Sequence, residues 1–218
     1  MFREILRTQW KWSTVGVVVG AIVAFALPLL AVQAAGNADP TWIEARHLLA
    51  EQQSWSRWYP LLALAVGLLI GTGAWTSDHR VRHVYALTLP LARWRFVLLR
   101  YGAGLVLLVA PLLAMAIGAG VAAAAATVPS GLHTYPVALA LRFALAVVVA
   151  YSVFFAISSG TTKTAGYVLS AVGAIVVIQL LFRFTGSNAN LLTAIFDRMV
   201  TWPGPFEIFS GRWMLIDV

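Results

Sequence analysis

Few residues in this 218-residue chain have the type and spacing that chemistry needs. Ser158-Ser159-Gly160-Thr161-Thr162-Lys163-Thr164 comes nearest to a phosphate-binding loop. Such a loop requires Gly directly before the Lys and another five residues earlier, so that backbone N–H groups can cradle the phosphates. Thr162 and Ile157 stand in those places, and the segment reads as a polar turn between two apolar helices. His79 and His83 have the i, i+4 spacing that puts two imidazoles on one helix face, as a metal requires. Arg80 and Arg82 flank them and Asp78 is the one nearby carboxylate, so the local field repels a cation and a solvated helix is the better reading. The chain has no cysteine, which removes thiolate ligands and thiol nucleophiles. An intramembrane hydrolase needs a nucleophile and a base at one depth; Ser158, Ser159 and Ser170 fall toward one surface and His133 toward the other. No catalytic residue, no metal and no cofactor in this chain are therefore expected. Thr72, Tyr151, Ser152, Tyr167, Ser170 and Gln179 could line a transport pathway or simply hydrogen-bond between helices.

The elements that carry these residues are apolar. Apolar residues make up 61% of the chain and charged residues 11%, against roughly 25% charge in a soluble domain. Five stretches approach the about 20 residues that a helix needs to cross a bilayer: 14–35, 58–76, 101–126, 136–158 and 165–182. None alternates as a barrel strand does, and an open sheet would strand backbone polar groups in lipid, so all five are expected to be helices. Pro28 and Pro111 predict kinks. No Asp or Glu lies within any stretch, so the intramembrane carboxylate of proton relays and many ion-coupled carriers is missing. Arg142 is the one cation inside a stretch and can snorkel outward. Gly16…Gly20 and Gly67…Gly71 are small-residue pairs that allow close helix approach. The expected fold is an all-α polytopic membrane protein, a single transmembrane domain over 1–218.

Charge sets the expected topology. Arg3, Arg7 and Lys11, the 77–100 loop with Arg80, Arg82, Arg93, Arg95 and Arg100, and Lys163 share one side with only Glu4 and Asp78. The cations and carboxylates of the other side cancel, so the whole net charge of +7 lies on one face. The positive-inside rule makes that face cytoplasmic, with the N-terminus inside. A cleaved signal peptide is the competing reading of the first stretch, but its apolar run from Val15 to Val32 exceeds the roughly 7–15 residues of such a leader. Basicity here speaks of topology and lipid rather than nucleic acid. The nine Trp fall at span ends or in loops, as interfacial anchors do.

Between the spans, residues 1–13 read as a basic interfacial helix, with Phe2, Ile5, Leu6 and Trp10 apolar and Arg3, Arg7 and Lys11 toward lipid phosphates. An amphipathic helix is expected from Thr41 to about Ser56. Residues 183–218 form two weakly apolar pieces around Trp202-Pro203-Gly204-Pro205 and are expected to be an outer re-entrant or interfacial region.

The segment after the second span is the most specific. Gly71 to Arg80 leads through Val81-Arg82-His83-Val84 to Leu87-Thr88-Leu89-Pro90-Leu91-Ala92-Arg93-Trp94-Arg95. This resembles the permease subunits of ABC-2 type transporters, whose first cytoplasmic loop has an acidic/basic opening, a short helix and a Leu-Pro-x-x-Arg turn into the third span. The Leu89–Arg93 match is good and the opening matches in part. The resemblance implies a cytoplasmic coupling loop at 77–100, with Asp78, His79, Arg80, Arg82, Leu89, Pro90 and Arg93 contacting a separate ATPase that binds ATP and magnesium. It also implies a homodimer or a heterodimer with a related permease, export, and a bacterial inner-membrane location. The family has six spans, so a sixth is expected to be missing from this sequence. The alternative is a non-transporting anchor or sensor subunit that recruits a cytoplasmic partner through the same loop.

Overall fold

The computed structural model describes residues 1–35, 42–76, 92–128, 131–160, 167, 170, 174, 177, 178, 197–201, 204 and 206–217. Five helices dominate: α1 Phe2–Ala35, α2 Trp42–Ser56, α3 Trp58–Gly73, α4 Arg93–Ala125 and α5 Pro136–Ser159. Two short strands, β1 His133–Thr134 and β2 Ile216–Asp217, and a 3-10 turn at Glu207–Phe209 follow, and the described positions 167, 170, 174, 177, 178 and 197–200 are also helical. The chain divides into two compact units, Met1–Phe155 with Arg212–Val218, and Ala156–Gly211.

Among the described residues, three helices are long and apolar enough to span a membrane, in the segments Phe2–Ala34, Trp94–Ala125 and Pro136–Ser159. Their length and composition are those of a multi-pass membrane protein, with three such helices among the described residues rather than the five expected. The expected span at 58–76 forms α3, whose 16 residues reach only about 24 Å against a hydrocarbon core of about 30 Å. It stops at Gly73, where Ala74 N–H still bonds the Ile70 carbonyl but Trp75 N–H reaches back only three residues to Thr72. The expected span at 165–182 lies outside the described residues except at positions 167, 170, 174, 177 and 178.

In the first unit the helices alternate in direction, and small residues set their register. A methyl placed on Gly16 would lie 3.1 Å from Leu69 Cβ, and one on Gly20 would lie 3.0 Å from Val66, so α1 and α3 run antiparallel. Gly20 also abuts Pro111, and Gly118 sits against the Phe25 backbone, so α1 and α4 run parallel. Gly67 faces Ala150 and Gly71 faces Phe154, which sets α3 parallel to α5. Without a hydrophobic drive between helices in lipid, such close backbone approach supplies the packing energy. Ala24, Ala31, Ala63, Ala103, Ala119 and Ala146 have no exposed surface along these seams. Outward ribs stay apolar: Val15 and Ile22 on α1, Leu113 and Ile117 on α4, and Val137 and Leu141 on α5 are each more than half exposed. Water would not tolerate ribs of that extent, whereas hydrocarbon accepts them.

In the second unit, residues 197–200 are helical and the chain then turns tightly. Gly204 N–H bonds Thr201 O at 2.5 Å, Phe206 N–H bonds Met199 O at 2.9 Å, and the Phe206 and Phe209 rings lie 6.3 Å apart.

Candidate functional site

Two polar clusters close the two ends of the α1/α3/α4/α5 bundle. The first is at the end where α1 and α4 begin and α3 finishes, and it centres on Arg100. This side chain is 4% exposed, on the third turn of α4. Its guanidinium sits 4.7 Å from the Trp75 ring and 4.9 Å from the Phe96 ring. Phe96 is one turn earlier on the same helix face, so the i, i+4 spacing stacks ring and cation. Trp75 comes from the turn that ends α3 and is itself buried. Its ring packs 5.3 Å from Phe155 of α5, which in turn meets Tyr101 and Tyr151. α1 joins through Gln9, whose amide Nε2 donates to the Arg100 carbonyl at 3.0 Å. Ser13, one turn on, fills the space beside Gly73. Aromatic faces are attractive to a guanidinium, and more so once water is removed. All four helices are thus tied at one end around a desolvated cation.

Gln9 Oε1, Ser13 Oγ and Trp75 Nε1 are among the polar atoms buried at this end without a hydrogen-bond partner. They offer one acceptor, one hydroxyl and one donor, a set that suits a small hydrogen-bonding species such as water.

The opposite end is closed by the C-terminal segment. β2 pairs antiparallel with β1, His133 opposite Asp217 and Thr134 opposite Ile216, and Tyr135 N–H extends the ladder to Leu215 O at 2.8 Å. Trp213 is buried, stacks on Tyr59 of α3 with ring centroids 6.4 Å apart, and takes the Arg142 guanidinium on its face at 4.7 Å. Arg142 also donates to the Arg212 carbonyl at 2.6 Å, and the Trp213 backbone N–H donates to Ser56 Oγ at 3.0 Å. α2 packs there through Leu48 and Gln52, the latter donating to the Ala31 carbonyl at 3.2 Å.

The residues expected to act sit as follows. Asp78, His79, Arg80, Arg82, Leu89 and Pro90 lie outside the described residues; Arg93 is the first residue of α4. Of the expected pathway residues, Thr72 is exposed and donates to the Leu68 carbonyl of its own helix at 2.7 Å. Ser152 donates to Val148 O at 2.7 Å and lies 2.8 Å from the Tyr101 hydroxyl. Tyr151 is fully buried and donates to the Tyr101 carbonyl at 3.0 Å. Ser170 and Tyr167 are exposed positions of the second unit, and Gln179 lies outside the described residues. The structure brings Tyr151 and Ser152 together with Tyr101, on the α4/α5 seam, beside the Arg100 cluster. Sequence reasoning counted Arg100 among the loop cations and Trp75 among the interfacial anchors. The available signal was the Phe96–Arg100 spacing at the mouth of a long apolar helix. Among the described residues, no group of three His, Asp or Glu could hold a metal ion.

No protein-family model, curated protein or solved structure matches the chain.

Proposed function

We propose that this chain is the membrane subunit of an ATP-driven exporter of the ABC-2 type, acting as a dimer with a separate ATPase. One observation carries the reading. The chain leaves α3 at Trp75–Thr76 and enters α4 near Arg93, and both feet of the intervening loop meet in one cluster, with the Arg100 guanidinium over the Trp75 ring of one foot and the Phe96 ring of the other. Through Gln9 and Phe155 the same cluster grips α1 and α5. A push on such a loop would reach all four helices together, which is what coupling to an external motor requires. The Leu89-Pro90-Leu91-Ala92-Arg93 motif and the basic character of 77–100 support the same reading. In it, Asp78, His79, Arg80, Arg82, Leu89, Pro90 and Arg93 contact the ATPase, the basic end is cytoplasmic, and ATP with magnesium binds the partner alone.

The test is a mild-detergent pull-down of the tagged chain from native membranes, followed by mass spectrometry and an ATPase assay. A stoichiometric ATPase is expected, and Arg80→Glu with Arg82→Glu should reduce its recovery while leaving the chain in the membrane. A clean membrane protein with no nucleotide-binding partner, under conditions that preserve a known complex, would overturn the exporter and leave the anchor subunit in its place.

A further inference from the structure

The first turns of α1 depart from the line of the rest of the helix. From Gln9 to Phe25, α1 runs alongside α4 in nearly constant register: Gln9 bonds Arg100, Gly20 meets Pro111, and Phe25 meets Gly118. Continued straight, that register would hold Phe2 about 14 Å from Gly102 along the axis. Instead the Phe2 ring comes within 4.0 Å of a methyl placed on Gly102. Residues 2–9 therefore lean back across α4. Beneath them lies a cavity of about 780 Å³, lined by Arg3, Glu4, Leu6, Arg7 and Trp10 from α1 and by Val106, Leu107 and Ala110 from α4.

The chemistry of the lining divides by depth. Arg3, Arg7 and Trp10 fall at i, i+4 and i+7 on one helix face, with Glu4 beside them, and all four are exposed. Among the described residues, none of Arg3, Glu4 and Arg7 is taken up in an ion pair. Below them Val106 and Ala110 are exposed and apolar. The 33 residues of α4 extend about 50 Å, and its charges all lie at or before Arg100, so the hydrocarbon boundary falls close to Val106. The charged half of the cavity thus sits at headgroup level and the apolar half just inside the acyl layer. Its volume, within the roughly 300–1,000 Å³ of ordinary ligand sites, takes a headgroup and the first part of the chains.

We propose that this cavity binds one phosphatidylethanolamine molecule: the phosphate between Arg3 and Arg7, the primary ammonium on Glu4, and the acyl chains on Val106 and Ala110. Two guanidiniums and one carboxylate match a phosphate followed by an ammonium. A phosphatidylglycerol would offer Glu4 only a neutral hydroxyl, and the quaternary ammonium of phosphatidylcholine has no N–H to donate. The site needs only the membrane character of the chain, so its failure and that of the exporter are separate results.

The experiment titrates the purified full chain with dioleoyl-phosphatidylethanolamine, -phosphatidylglycerol and -phosphatidylcholine, reading the first lipid adduct by native mass spectrometry. Phosphatidylethanolamine should bind about fivefold tighter than phosphatidylglycerol, the scale of one exposed charge contact. Glu4→Gln should abolish or invert that preference. Arg3→Ala with Arg7→Ala should weaken both lipids, and Val106→Trp should remove the adduct by filling the groove. Arg95→Ala, whose guanidinium lies over Trp94 instead, should change nothing. Unchanged Tm in each variant shows that the fold is intact, and a variant that loses Tm is replaced by its Gln or Leu counterpart. Adducts that ignore both lipid type and substitution would mean annular lipid only and overturn the site. A wild-type preference for phosphatidylglycerol that survives Glu4→Gln would overturn the assigned headgroup.

Discussion

Arg100 and Gly67 show the two ways in which single residues hold this bundle together, one by filling a polar hole and the other by leaving none. A methyl on Gly67 would fall 2.5 Å from Ala150 Cβ and 2.7 Å from the Tyr151 backbone nitrogen. Backbone cannot yield as a side-chain tip can, so Gly67→Ala has to push α3 from α5, at a cost of about 1–3 kcal/mol. Gly120 has nothing within 4 Å of the same atom. Gly120→Ala should be neutral or add up to about 1 kcal/mol through helix propensity. Unfolding of both variants in one detergent, followed by circular dichroism, separates the two; equal loss from both would mean that the α3/α5 seam is not the tight one. At this scale the GxxxG spacing was legible in the sequence, because small residues at i, i+4 mark a face whichever helix meets it. The partner of each face was not legible, and neither was the burial of Arg100. A cation at the start of an apolar run looks the same whether its helix begins there or two turns earlier.

Helix length was the least legible property of the elements, since apolar runs and helices end for different reasons. α4 begins eight residues before its expected span, carried through Arg93, Arg95 and Arg100 by good helix formers. α3 ends earlier than its apolar run because the Gly71-Thr72-Gly73 stretch supports only a short helix there. α5 and α2 match their expected extents closely, each bounded by a proline or a turn that the sequence displays. Nothing in the sequence pointed to β2, two residues long, or to its pairing with β1 across the bundle end. That pairing can be tested directly, because the chain has no cysteine of its own. The 135/215 pair is hydrogen-bonded, so the 134/216 pair is of the close, non-hydrogen-bonded kind that accepts a disulfide. Thr134→Cys with Ile216→Cys should cross-link on mild oxidation and shift on a non-reducing gel after proteolysis between the two sites. Thr134→Cys with Asp217→Cys, one residue out of register and on the other face, should cross-link far less. Equal yields would mean that the C-terminal segment is not held in this register.

For the whole molecule the decisive quantity is the distribution of charge along the bundle axis. Contacts alone place the beginning of α1, the end of α3 and the beginning of α4 at one end, joined by Gln9, Trp75 and Arg100. That end carries Arg3, Arg7, Lys11, Arg93, Arg95 and Arg100, with Glu4 the only carboxylate among the described residues there. The other end mixes Arg46, Arg57, Arg142 and Arg212 with Glu44, Glu51 and Asp217. The alternation of helix direction, derived from packing, thus sorts the charges in the way that the apolar pattern and the positive-inside rule require independently. Two exposed positions, Thr8 near the start of α1 and Gln53 on α2, report on the two sides. In intact cells a membrane-impermeant maleimide should label the Gln53→Cys chain and leave the Thr8→Cys chain unlabelled until the membrane is permeabilised. The reverse pattern would put the basic end outside. No cytosolic ATPase could then reach the loop between α3 and α4, and the exporter would fall with the topology, whereas the lipid cavity would merely move to the other leaflet.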